Sequence, residues 1–315
     1  MTMPNVQRPK TALERLISWL QPRIQKVHAT DSRSWARLLK SERELPEPYR
    51  PFFDSLPAQA RQPFPHIVLT PTFKGVARRL EREKLLCLTD DSLFIVESSD
   101  EPPAPVRYPL NGRCLVERGV ILLHSWITIH GPASDGESTA TTLRFNSVTD
   151  HLMAPFVERL RPAPSAGASV PLEAERERFD YLAQTHYKFY SHGRSTIRPG
   201  ARVIHILLQP EIRRGQIALF GYSLSRRLSP AHLAILTDNE LILVRDDDSQ
   251  FWLRGQPHGA IWSYIPRSII EAASLDPVNN GLLALRIDVA GGISLKPMYE
   301  AAAEAELRNL IQQAQ

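Results

Sequence analysis

Leu85–Val96 reads LLCLTDDSLFIV and Leu233–Val244 reads LAILTDNELILV, with six of twelve positions identical at a constant offset of 148. Upstream, HIVLTP at His66–Pro71 matches HILLQP at His205–Pro210 at four of six positions, at an offset of 139. A weaker echo sets Tyr49, Arg50, Phe52 and Phe53 beside Tyr187, Lys188, Phe189 and Tyr190. Matches in the same order along the chain signal a duplicated structural unit. The length of 315 residues allows two domains of ordinary size, each with its own core. The offset grows because the connection before Leu233 is longer than the one before Leu85.

Each copy follows one coarse plan. A strand (His66–Phe73; Val203–Ile212) leads through a basic connection to a hairpin of two apolar strands. The hairpin turns at Asp90 and Asp91 in the first copy and at Asp238 and Asn239 in the second, residue types that tolerate turn geometry. Pro109 and Pro266 mark a following strand and suggest an edge or a strand start. Ile121–His130 with Thr141–Phe145, and Leu282–Val289 with Ile293–Leu295, read as further strands. One helix closes each copy, over Val148–Leu160 or Pro297–Gln313. Between them, Arg161–Pro171 (RPAPSAGASVP) reads as a linker and Leu172 to about Tyr187 as a charged helix. Asp31 is placed to cap a comparable helix over Ser32–Ser41. The expected division is a helical extension at 1–45, repeats at 46–162 and 196–315, and a linker with its helix at 163–195.

Short antiparallel strands closed by a single C-terminal helix, together with the L-T-D-x-x-L hairpin at Leu88, Thr89, Asp90 and Leu93 and again at Leu236, Thr237, Asp238 and Leu241, resemble the bacterial pleckstrin-homology-like (PH-like) domains. The resemblance implies a mainly β fold with helices: two PH-like barrels, each closed by its C-terminal helix, plus N-terminal and inter-domain helices. It also implies ligands met by loops at the end of the barrel away from that helix.

Charge narrows the choice of partner. The formal net charge is +4, and residues 1–30 hold all of it, with Arg8, Lys10, Arg15, Arg23 and Lys26 against Glu14. Leu13, Leu16, Ile17, Leu20, Ile24 and Val27 recur there at helical spacing, and Pro22 should break the helix near its middle. Such a segment lies on an anionic membrane, docks on a partner, or packs on its own domain. The remainder sums to zero and carries no RNA-binding signature, which disfavours nucleic acid. No window reaches the ~20 apolar residues that span a bilayer. Cys87 and Cys114 are too few for a disulfide framework and fit a reduced, cytoplasmic protein, with peripheral attachment to the inner face of the membrane as the variant.

The candidate binding residues lie in the basic connections. Copy one offers Lys74, Arg78, Arg79, Arg82 and Lys84 against Glu81 and Glu83. Copy two offers Arg213, Arg214, Arg226 and Arg227 against Glu211. The resemblance implies a phosphoinositide role for a lysine ending the first strand and an Arg-x-Arg pair entering the second. Lys74 and Arg82-Glu83-Lys84 meet that pattern only in part, and copy two lacks it. The other reading is solvated charge that protects a sheet edge. Trp252, beside the acidic tip Asp246–Asp248, is a candidate contact residue. Enzyme signatures are missing, the ten histidines are scattered, and His124 and His130 stand about 20 Å apart along one strand, too far to share a metal. No cofactor or metal is expected. These readings point to a non-catalytic tandem binding or scaffold protein that recognises a protein partner, with anionic-membrane association as the alternative.

Overall fold

A computed structural model describes residues 35–74, 79–99, 104–132, 138–164, 171–219, 222–247, 259–279 and 281–314, and of positions 73, 74, 79, 80, 215–219 and 222–226 the backbone alone. The first repeat contains β1 (Arg37–Leu39), α1 (Arg50–Ser55), α2 (Ala58–Arg61), β2 (His66–Thr70), β3 (Phe73–Lys74), β4 (Arg79–Glu81), β5 (Lys84–Leu88), β6 (Ser92–Glu97), β7 (Val106–Pro109), β8 (Leu115–Ile121), β9 (His124–Pro132), β10 (Ser138–Asn146) and α3 (Asp150–Leu160). Two helices follow, α4 (Leu172–Glu177) and α5 (Tyr187–Thr196). The second repeat contains β11 (Val203–Gln209), β12 (Ile212–Leu219), β13 (Tyr222–Ser229), β14 (His232–Thr237), β15 (Glu240–Asp246), β16 (Gly259–Pro266), β17 (Ile270–Val278), β18 (Leu282–Val289), β19 (Ile293–Leu295), β20 (Met298–Glu300) and α6 (Glu304–Ala314).

The repeat extends to strand register. His66 stands opposite Leu88 and His205 opposite Leu236; Ser92 stands opposite Pro109 and Glu240 opposite Pro266. The shared threonine explains the hairpin motif. Thr89 Oγ1 donates to Ser92 O (3.0 Å) and accepts from Ser92 N (3.2 Å), and Thr237 Oγ1 does the same with Glu240 (3.0 and 3.1 Å). One hydroxyl thus satisfies both main-chain groups of the residue that restarts the strand. The basic connections are themselves hairpins, β3–β4 and the longer β12–β13, and the second accounts for the change of offset.

Several expectations are corrected. Among the described residues the strands form open antiparallel sheets, and none closes into a barrel. The helix expected over Ser32–Ser41 is replaced, where described, by β1, which pairs with β2 because Leu39 finds an apolar surface on that sheet. The single helix expected from Leu172 is split by a 3₁₀ turn at Asp180–Leu182. The final helix begins at Glu304, not Pro297, because Met298–Glu300 pairs with β18. Pro109 lies on an edge strand, but Pro266 ends a strand paired on both sides, at a position beyond its pairing with β8.

The first sheet of each repeat is covered on both faces. In the first repeat Val68, Leu86, Leu93 and Ile95 face Ile127, Phe145 and Phe156, while Ile67, Leu85 and Val96 face Tyr49, Phe52 and Phe53. In the second repeat Leu236, Leu241 and Ile265 face Leu285, Tyr299 and Leu310, and the opposite face packs against Phe179, Leu182 and Phe189. Near-continuous apolar runs such as Leu241–Val244 suit strands buried on both sides. Gly193 lets α5 approach closely, since a Cβ there would lie 2.5 Å from the Phe179 ring.

The repeats are joined by hydrogen-bonded strands. β16 pairs with β15 on one side and with β8 on the other, from Gly259 opposite Ile121 to Tyr264 opposite Val116, producing a seven-stranded sheet in the order β10-β9-β8-β16-β15-β14-β11. Beside this joint, Arg161 at the end of α3 reaches Glu240 (2.6 Å), donates to Thr196 O (3.0 Å) and stacks on the Tyr264 ring (4.2 Å). Arg161 and Glu240 are both buried, so removing one partner strands a charge, at a cost of about 3–5 kcal/mol. Glu240→Ala should therefore lower stability by that amount in urea unfolding, whereas Arg161→Met with Glu240→Leu should cost much less.

Candidate binding site

The cleft with the clearest mixed chemistry lies in the first repeat, where the ends of β5, β6 and β7 face the edge strand β10. It has a volume of about 420 Å³ and is lined by Glu81, Lys84, Glu97, Val106, Thr141 and Arg144 among others. Lys84 Nζ is held by Glu81 Oε1 (2.8 Å) and Glu97 Oε2 (3.4 Å), and Arg144 Nε by Glu81 Oε2 (3.1 Å). Lys84 and Glu81 are largely buried, while Glu97 and Arg144 are about half exposed. Behind them Tyr108 Oη bonds Thr141 Oγ1 (2.7 Å) and Thr139 Oγ1 (3.2 Å), tying β7 to β10 across the gap. The cleft therefore presents alternating charge beside a main-chain edge that is unpaired among the described residues.

Four of the nine expected basic residues, Lys84, Arg82, Arg213 and Arg227, are already paired with carboxylates. Arg82 donates to Ser98 O (3.3 Å) and lies 3.9 Å from Glu97. Arg213 and Arg227 share Glu211, at 2.5 and 2.8 Å, and Arg227 also donates to Asp247 O (3.4 Å). Arg214 is exposed on β12. Lys74, Arg79 and Arg226 are placed by backbone alone on β3, β4 and β13, and Arg78 and Trp252 lie outside the described residues, as do residues 1–34. Sequence reading selected Lys84 but missed Glu97 and Arg144, which lie in a later strand and across the cleft. Only the pairing of Lys84 with Glu97 across β5–β6 was available locally.

The aligned position in the second repeat has different chemistry. His232 takes the place of Lys84 and packs edge-on against Tyr299, with ring centroids 4.6 Å apart. Its Nδ1 meets Pro230 O at 3.0 Å. His192 packs similarly on Trp262 (4.9 Å), near Lys188 and Arg118. Burial of Cys87 and Cys114 pushes both thiols up to about 12, so neither is a ready nucleophile. Asp246 is held by Lys188 (2.5 Å), and no cluster of three metal-ligating side chains occurs among the described residues. No described helix is long and apolar enough to cross a membrane.

Comparison with models of known protein families gave no match, and neither did comparison with curated proteins.

Buried His232 and partly buried His192 give the fold a pH dependence. Burial lowers His232 to about 4 against the opposing Pro230 carbonyl, with a smaller contribution from Arg245; burial, Lys188 and Arg118 lower His192 to about 4. The unfolded chain protonates these groups near pH 6.5. Between pH 6.5 and 4 the unfolded state binds more protons, so stability should fall with pH by up to about 1.4 kcal/mol per histidine for each pH unit. Urea midpoints at pH 7.5 and pH 5 should show this loss, and His232→Phe should reduce it.

Proposed function

We propose that the chain is a non-catalytic tandem PH-like binding protein that recognises a protein partner by taking an extended segment along β10. The PH-like reading is supported by two repeats that each carry a first sheet, a short or long hairpin, a second sheet and a closing helix, as an open sandwich in place of a closed barrel. The peptide reading is carried by the contrast between β10 and the other edges of the five-, seven- and four-stranded sheets. β7 is short and follows Pro105, β17 carries Glu271, Asp276 and Pro277, and β1, β19 and β20 have three residues each. The start of β11 is covered by α4, where Glu175 Oε2 accepts from Val203 N (2.7 Å) and Arg178 donates to Val203 O. β10 has nine residues, no proline and one charge, Arg144, and its outer edge opens on the mixed-charge cleft. An unprotected edge beside side-chain pockets is the arrangement used in strand addition, with main-chain bonds giving affinity and the cleft giving selectivity.

The anionic-membrane reading has less support, since Lys84, Arg82, Arg213 and Arg227 are already paired with carboxylates. It rests on residues 1–30, on Lys74, Arg78 and Arg79 of the first connection, and on Arg214 and Arg226 of the second. Peptides selected from a random displayed library against the full chain should compete for one site and weaken at least tenfold with Ala140→Trp, which fills the cleft. Arg214→Glu, remote on the β12 hairpin, should leave them unchanged. The protein-partner reading fails if no selected peptide binds saturably or if Ala140→Trp has no effect.

A further inference from the structure

The joint between the repeats is heterologous. β16 adds to β8, while the strands in the reciprocal positions, β7 and β17, are outermost in their sheets among the described residues. A heterologous contact does not close on itself, so the same joint could be made between chains, β7 of one against β17 of the next, in an open series.

The aligned positions explain why β7 differs from β16. The pairings Ser92 with Pro109 and Glu240 with Pro266 fix the alignment, and Gly259, Ala260 and Trp262 then fall on Pro102, Pro103 and Pro105. Pro102 and Pro103 lie outside the described residues and enter as sequence positions only. β16 has eight residues and β7 four, and β7 begins directly after Pro105. The part of β16 that meets β8 is Gly259–Tyr264, and of its counterparts only Val106 and Arg107 remain in β7. Gly259 itself permits a close approach, since a Cβ there would lie 2.7 Å from Val120 O. Proline supplies no N–H to a ladder and is confined to edges.

We propose that Pro105 holds β7 short and thereby prevents a second copy of this chain from pairing with it through β17. Pro105 thereby ends the shared sheet at two repeats. The interface it blocks is the one already made inside the chain, and the occupant it excludes is the segment Ile270–Asp276 of another copy.

The test is sedimentation velocity over a range of concentrations, comparing the wild type with P102G/P103A/P105W, which installs the residues of β16. The wild type should keep one mass, and the variant should add species that grow with concentration. Adding Ala273→Pro on β17 should return it to the wild-type mass. Far-UV circular dichroism checks folding, and if the triple variant unfolds, Pro105→Val, which restores one donor, takes its place in the same series. A folded variant that stays at the wild-type mass overturns the proposal. So do oligomers that survive Ala273→Pro, or a wild type that already associates and is dissociated by Ala273→Pro.

Discussion

The pairing of β8 with β16 is the contact on which the other features depend. It gives β16 two strand neighbours, makes one sheet of two repeats, and brings α3 of the first repeat against β15 and β16 of the second. Burial of Arg161 and Glu240 follows from that closeness, because neither charge would be removed from water if the repeats were tethered loosely. Glu117 on β8 reaches Arg245 (3.0 Å) on the face toward the second repeat, while Arg118, its neighbour, reaches Asp150 of α3. Alternation along one strand thus serves both repeats.

Much of this plan can be read in the residues. The offsets of 139 and 148 locate two copies, and the register of β2 with β5 and of β11 with β14 obeys them. The Thr-Asp turn is local chemistry and is therefore visible in the sequence, as is the apolar stripe of the closing helices. The joint is not visible, because nothing in Leu115–Ile121 or Gly259–Pro266 names its partner over more than a hundred residues of separation. Arg37–Leu39 was misread as helix because a three-residue strand has no periodicity of its own and takes its form from β2.

The candidate site divides in the same way. Basic residues in the hairpins were conspicuous, but Lys84, Arg82, Arg213 and Arg227 among them spend their charge on Glu81, Glu97 and Glu211, brought near by pairing and packing. The cleft combines β5, β6, β7 and β10, and no single stretch of sequence reports it. The duplication has also diverged at this place: Lys84 with two carboxylates in one copy becomes His232 against Tyr299 in the other. A shared backbone has been kept while the side chains at its open end changed, which fits two repeats with one architecture and different tasks.

Amide hydrogen exchange on the intact protein tests the shared sheet most directly. The ladder from Gly259 to Tyr264 and its partners from Val116 to Ile121 should be protected to a degree comparable with the β14–β15 hairpin. If the amides of β8 and β16 that point toward each other exchange as fast as a free edge while β14 and β15 remain protected, the two repeats do not share a sheet and this account is wrong.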